Sequence, residues 1–115
     1  VQKLAANPDA YGFFGYSYYL ANKDKIKAAA INGVKPSLEG IQDYSYPIAR
    51  PLFFYAKKAH VGVVPGLKEF LDAFTSKKAM GSRGYLTDIG LVPLASDKYK
   101  VTRTAAKDLV TINLK

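Results

Sequence analysis

Residues Tyr44 to Ala59, YSYPIARPLFFYAKKA, constrain this chain more than any other stretch. Pro47 and Pro51 bracket Ile48, Ala49 and Arg50, and the apolar run Leu52-Phe53-Phe54-Tyr55-Ala56 follows, closed by Lys57 and Lys58. Each proline fixes its own φ and drives the residue before it toward extended backbone. Tyr46 to Pro51 is therefore predicted to be an extended connector that cannot coil into helix. A short, aromatic run stopped by charge reads as a strand buried on both faces, here Leu52 to Ala56. Two architectures fit. A stiff connector feeding a buried strand can carry the chain from one packing unit into another. The same pattern can also be an edge strand leading into a central one within a single small domain.

A chain of 115 residues sets one domain as the ceiling, and its 49% hydrophobic content can supply a core. No apolar run approaches the ~20 residues of a membrane span. The opening VQKLAANPD has neither an initiator Met nor the apolar core of a signal peptide, so a processed start or a piece of a longer protein is expected. Without cysteine there is no disulfide framework and no thiolate metal site. The single histidine, His60, reads as a surface or turn residue, and no metal or cofactor is expected. The formal charge of +8 is compatible with nucleic acid, an anionic surface or an anionic small ligand. The lysines are nevertheless scattered in pairs at element ends, which reads as a solvated surface rather than a groove.

In chain order, Val1 to Ala6 reads as the end of a helix and Asn7-Pro8-Asp9 as a turn. Ala10 to Tyr16 is predicted to be a glycine-punctuated strand, followed by a helix through Lys25 with Ser17 as its cap. Ile26 to Ile31 reads as a second strand ending at Asn32-Gly33, which favours a type I′ hairpin where a strand follows directly. Ser37 caps one helical turn, Leu38 to Gln42. The clearest helix is Leu67 to Ser76, where Leu67, Phe70, Leu71 and Phe74 form one apolar stripe. Full packing of that stripe would make Phe70→Ala cost ~3–5 kcal/mol. Gly81-Ser82-Arg83-Gly84 is a small loop without the length or ending of a phosphate-binding P-loop. A short helix from Tyr85 to Asp88 closes at Gly90. Ser96 or Asp97 caps a last helix to about Leu109, with Lys100, Arg103 and Lys107 beside an apolar stripe of Tyr99, Thr102, Ala106 and Leu109. Val110 to Lys115 reads as a tail.

Nucleophile–base signatures are missing, and the nine carboxylates are dispersed. No catalytic residue is assigned, and the chain is not expected to be an enzyme.

Three stretches in this order and spacing carry a resemblance: Asn7 to Tyr19 (NPDAYGFFGYSYY), Ser45 to Ala59 (SYPIARPLFFYAKKA) and Gly81 to Leu94 (GSRGYLTDIGLVPL). Together they resemble the C-terminal part of the phosphate-binding proteins of bacterial phosphate ABC transporters. The resemblance implies an α/β, two-lobed periplasmic binding protein of the type II solute-binding fold. Residues 1–45 would finish the second lobe, 46–56 would cross the hinge, and 57–115 would return to the first lobe with the C-terminal helices.

The same resemblance implies a periplasmic or extracytoplasmic protein that captures inorganic phosphate and delivers it to membrane ABC permease subunits. The principal phosphate ligands of that family lie in N-terminal and middle segments with no counterpart here, so the missing N-terminal part is itself an expected partner. Candidates for the edge of the ligand cleft are Gly15, Tyr16 and Ser17 at a strand end, and Tyr44 and Ser45 where the chain turns toward the hinge. An equal reading has these tyrosines merely packing between lobes. Two other functions stay in view: a small basic domain binding nucleic acid through Lys, Arg and Tyr, and a phosphate-ester hydrolase on the same scaffold. No nucleic acid is expected on the first reading. Tyrosines laid out on one exposed basic face would favour the nucleic-acid reading, whereas buried or cleft-facing ones would favour the binding protein.

Overall fold

The computed structural model describes residues 1–113, so the last two residues of the expected tail lie outside it. Two compact units divide the chain: the first is Val1–Arg50 with Asp88–Val92, the second Pro51–Thr87 with the segment from Pro93 onward. The chain passes between them at Arg50–Pro51.

In the first unit, α1 (Gln2–Ala5) ends at a turn in which Ala10 N donates to Asn7 O and Asp9 N to Asn7 Oδ1, both at 3.1 Å. α2 (Tyr16–Leu20) begins after Gly15, whose φ of −60° and ψ of 147° are extended. Ser17 therefore lies inside the helix and does not cap it, and the helix stops five residues before Lys25. Its end is tied by Asn22, whose side-chain amide donates to Tyr18 O at 2.9 Å. This is an asparagine competing with the helix for backbone partners.

Asn32-Gly33 is the expected turn, and it is of the primed type although Val34-Lys35-Pro36-Ser37 rather than a strand follows it. Both residues have positive φ, 51° and 79°, and Ile31 and Val34 exchange two backbone hydrogen bonds of 2.9 and 3.0 Å. The ladder stops there, because Pro36 lacks an N–H to extend it. Ser37 caps α3 (Leu38–Gln42), its hydroxyl accepting from Gly40 N at 2.9 Å.

The proline-bracketed connector is not extended throughout. Ala49 N donates to Tyr46 O at 2.9 Å, which makes Tyr46–Ala49 a turn with Pro47 second. Proline's fixed φ is the one that the second position of this turn requires. The turn is held by Tyr46 Oη donating to Ala29 O at 3.2 Å and by Arg50 Nη1 donating to Pro47 O and Ala49 O.

Leu52 to Ala56 departs furthest from expectation. It is neither buried nor paired: Leu52 is 82% exposed, Phe53 63% and Tyr55 62%. Ala10–Tyr16 and Ile26–Ile31 likewise form no ladder, and among the described residues the only β pairings are the isolated bridges Ile31–Val34 and Val61–Val64. A strand satisfies its N–H and C=O groups only through a neighbour. None of these segments meets another, so strand-like sequence stays as irregular backbone.

The second unit is helical. After a 3-10 turn at Lys58–His60, α4 (Leu67–Phe74) starts at Gly66, which adopts a φ of 80°. Leu71 is buried and Leu67 and Phe74 are half-buried, but Phe70 is 50% exposed. The stripe is thus only partly core. Its outer half is an aromatic cluster in which Phe54 lies 5.6 Å from Phe70 and 5.0 Å from Phe74.

α5 (Lys77–Met80) is a helix that the sequence reading did not anticipate. Ser76 starts it, its hydroxyl accepting from Ala79 N at 3.2 Å. α6 (Tyr85–Asp88) precedes Gly90, and α7 (Ser96–Lys107) follows Ala95 without a side-chain cap. The basic and apolar stripes of α7 also differ from expectation. Arg103 sits on the packed side and Thr102 is exposed. Arg103 Nη1 donates to Asp72 O at 3.4 Å and approaches Thr75 Oγ1 at 3.5 Å, while Tyr99 Oη donates to Thr75 O at 3.0 Å. Thr75, buried, donates to Leu71 O at 2.7 Å. The Arg103 and Tyr99 bonds occupy the Asp72 and Thr75 carbonyls at the end of α4, Leu71 O accepts from Thr75 N as well as from its hydroxyl, and the guanidinium suits the negative end of the helix dipole.

Candidate functional site

All five residues proposed for a cleft edge fall in the first unit. Gly15 is the exposed residue before α2. Tyr16 opens that helix, half-buried, 5.9 Å from Tyr19 ring to ring. Burial pushes the Tyr16 phenol above its ordinary value, and Tyr19 and the Glu39 carboxylate on α3 add to the shift. Each of these effects disfavours phenolate, so Tyr16 offers a neutral O–H donor at physiological pH.

Ser17 is half-buried against Gly90. A Cβ placed on Gly90 would collide with the Ser17 Cβ, and Gly90 also has a φ of 94°. Tyr44 takes the left-handed backbone, φ 66°, immediately after α3. Ser45 N donates to Asp43 Oδ1 at 2.8 Å, and the Ser45 hydroxyl lies beside buried Gly40, where a Cβ would meet it at 3.2 Å. Ser45 is thus close to α3, through Gly40, and Tyr16 feels the charge of Glu39 on the same helix.

Two neighbours were not evident in the sequence. Glu39 acts on Tyr16 although 23 residues separate them, and the Lys23 ammonium lies 5.8 Å from the centre of the Tyr19 ring. The second of these spans one helical turn and could have been read from i, i+4 spacing. The first acts between residues far apart in sequence, which no local pattern records.

The glycine-flanked loop Gly81–Gly84 is a turn, not a cradle. Gly84 N donates to Gly81 O at 2.8 Å, and Thr87 Oγ1 also donates to Gly81 O at 3.4 Å. Side chains at Gly81 and Gly84 would strike the carbonyls of Lys77 and Ala79. Close helix packing accounts for both glycines. Among the described residues no group of three or more His, Asp or Glu could hold a metal ion. Among the described residues no helix is long and apolar enough to cross a membrane.

The local geometry therefore supplies neutral hydroxyls around α3 and no convergent guanidinium. Comparison with known proteins gives the class. A model of the PBP superfamily domain matches residues 2–78, and the chain belongs to that superfamily, with the periplasmic-binding-protein fold that it defines.

Its relatives bear out the resemblance to phosphate-binding proteins. The phosphate-binding protein PstS of Staphylococcus saprophyticus is 28% identical over 96% of this chain and 35% of its own length. PstS of Staphylococcus aureus is 30% identical over the whole chain and 36% of its own length. Protein SphX of Synechococcus elongatus is 36% identical over 86% of the chain and 30% of its own length. The chain spans about a third of the length of these relatives. No solved structure matches it.

Proposed function

We propose that this chain is part of an extracytoplasmic phosphate-binding protein that captures inorganic phosphate and delivers it to an ABC permease, without catalysing a reaction. The observation that carries this reading is that relatives named as phosphate-binding proteins match 96–100% of the chain. On this reading residues 1–45 end one lobe, 46–56 cross the hinge and 57–115 return to the other. Gly15, Tyr16, Ser17, Tyr44 and Ser45 would form a cleft edge, and the principal phosphate ligands would come from outside the chain.

The distribution of tyrosine and charge supports the binding protein over the nucleic-acid reading. Tyr16 and Tyr19 are half-buried in the first unit, whereas all but one of the eight excess positive charges belong to the second. Base-stacking aromatics and a basic groove would need to coincide. The tyrosines of the FFGYSYY stretch lie outside the unit that carries the excess charge, and the exposed rings inside that unit are Phe53, Phe54, Tyr55, Phe70 and Tyr85.

Calorimetric titration with inorganic phosphate tests the reading. The 115 residues alone are expected to bind weakly or not at all, and a polypeptide of the relatives' full length containing them is expected to bind tightly at one site. Micromolar binding by the isolated chain would place a complete site within it. Absence of binding by the long polypeptide would sink the phosphate reading itself.

A further inference from the structure

The chain has four asparagines, and the residue after each decides what its side-chain amide can do. A backbone nitrogen that attacks the Cγ of the preceding asparagine closes a five-membered imide. Asn7 precedes Pro8, whose nitrogen has no proton to give up, and its Oδ1 accepts from Asp9 N at 3.1 Å. Asn22 precedes Lys23, and its amide nitrogen is held by Tyr18 O at 2.9 Å. Asn113 precedes Leu114, whose side chain crowds the attacking nitrogen. Asn32 alone precedes glycine, which has no Cβ to obstruct the approach.

The surroundings of Asn32-Gly33 are open. Both residues are exposed, and a Cβ placed on Gly33 would meet nothing within 4 Å. The Gly33 N–H enters none of the backbone hydrogen bonds of the turn. The folded turn nevertheless restrains the reaction. The first central residue of a primed turn has a ψ of about 30°, which sets the following nitrogen nearly opposite Cβ. Ring closure requires that nitrogen to eclipse Cβ. Two bonds between Ile31 and Val34, of 2.9 and 3.0 Å, hold the turn shut, and among the described residues no ladder backs them. An isolated bridge of this kind opens at low cost.

We propose that Asn32 is a site of spontaneous self-modification, gated by opening of the Ile31–Val34 bridge. Gly33 N bonds to Asn32 Cγ as the Cγ–Nδ2 bond breaks, and the Gly33 amide proton leaves with Nδ2 as ammonia. Water then adds to the imide. Cleavage between Gly33 N and Cγ gives aspartate, and cleavage between Gly33 N and the backbone carbonyl carbon of residue 32 gives isoaspartate. No oxidant or reductant takes part. Either product adds a carboxylate to a unit in which six basic residues face five acidic ones, and so cancels its net charge. Isoaspartate also inserts one carbon into the backbone between Ile31 O and Val34 N, so the two bonds that close the turn no longer match. The reaction uses this turn alone and does not rest on phosphate binding.

The test incubates the 115-residue chain in heavy-oxygen water at mildly alkaline pH, with and without urea, and maps the peptides by mass. The label separates conversion in the tube from any present at the start. Conversion at Asn32 is expected in both samples, slower in the native chain by about 5- to 150-fold, the weight of two net backbone hydrogen bonds. Asn7 and Asn22 should remain amides in the native sample, and Asn32→Gln, which would need a six-membered ring, should stay unmodified. A protease that cuts before aspartate but not before isoaspartate separates the two products. Amide exchange at Ile31 and Val34 should quicken in the isoaspartyl form and not in the aspartyl one. The proposal falls if native Asn32 stays intact beyond that range while the unfolded chain converts, or if Asn22 converts as fast as Asn32. Equal rates with and without urea, or unchanged exchange in the isoaspartyl form, would overturn the gating by the bridge.

Discussion

At the scale of single residues, the strongest local constraint in the second unit is the knot at the end of α4. Arg103, Tyr99 and Thr75 together occupy carbonyls of Leu71, Asp72 and Thr75. Tyr99→Phe keeps the ring and removes one bond to Thr75 O, so urea unfolding should show a loss of about 1 kcal/mol. Arg103→Ala removes a charged donor from a helix end and should cost ~1–2 kcal/mol in the same experiment.

In the first unit Gly90 is fixed twice, by its φ of 94° and by the proximity of Ser17. Gly90→Ala should therefore destabilise by more than the ~1 kcal/mol of the backbone preference alone. Tyr16 adds a pH dependence. Its folded value lies above the ordinary 10.0, so the folded state holds the proton more tightly than the unfolded chain does. The associated stability is intact below pH 10.0 and is lost as pH rises through the raised value. Tyr16→Phe should flatten the alkaline end of a stability–pH curve, and an unchanged slope would show that Tyr16 does not contribute to it.

At the scale of elements, α4 shows how far an apolar stripe predicts a core. All four residues lie on one helix, but only Leu71 is buried on every side within the described chain. Leu71→Ala should cost ~2–4 kcal/mol, the range for truncating a packed leucine. Phe70→Ala, at half exposure, should cost no more than ~1.5 kcal/mol, well below the value that full packing of the stripe would give. Denaturant midpoints for the two variants measure the difference directly. A Phe70 loss as large as that of Leu71 would mean that the aromatic cluster with Phe54 and Phe74 is core even without a covering layer.

On the scale of the whole molecule, surface is the controlling quantity. Only Ala49, Leu71 and Ala79 are buried apolar residues among those described, while Tyr11, Phe13, Leu52 and Val101 stand largely in solvent. A chain with so little buried area is held near the limit at which apolar burial offsets conformational entropy. The isolated 115 residues should accordingly bind the dye ANS and unfold with a shallow denaturant dependence. Association with a complementary polypeptide should steepen the transition and suppress the dye signal. A steep, dye-silent transition in the isolated chain would show that the surface is already satisfied. Charge belongs to this scale too. Lysines that look scattered along the chain fall mostly in the second unit, because the first brings five carboxylates against six basic residues.

The sequence by itself determined what depends on neighbours a few positions apart. Ser37 before α3, Asn32-Gly33 in a primed turn, Asn7-Pro8-Asp9 as a stop and the apolar spacing of α4 were all legible. Each is settled within one turn of backbone by a side chain, a permitted φ or a missing N–H. Three linked phrases also carried the family. Tertiary structure alone decided which apolar runs find partners. Leu52 to Ala56 reads as a buried strand because its residues are apolar, but burial and pairing need atoms from elsewhere, and among the described residues the run enters no β pairing while Phe54 packs on Phe70 and Phe74 of α4. The same holds for the candidate site. The sequence proposed Tyr16 and Ser45 together, and only the folded chain set Gly40 beside Ser45 and brought the Glu39 charge to bear on Tyr16. A hydrogen-bond ladder and a desolvated phenol are properties of segments brought together from a distance, and no local pattern encodes that distance.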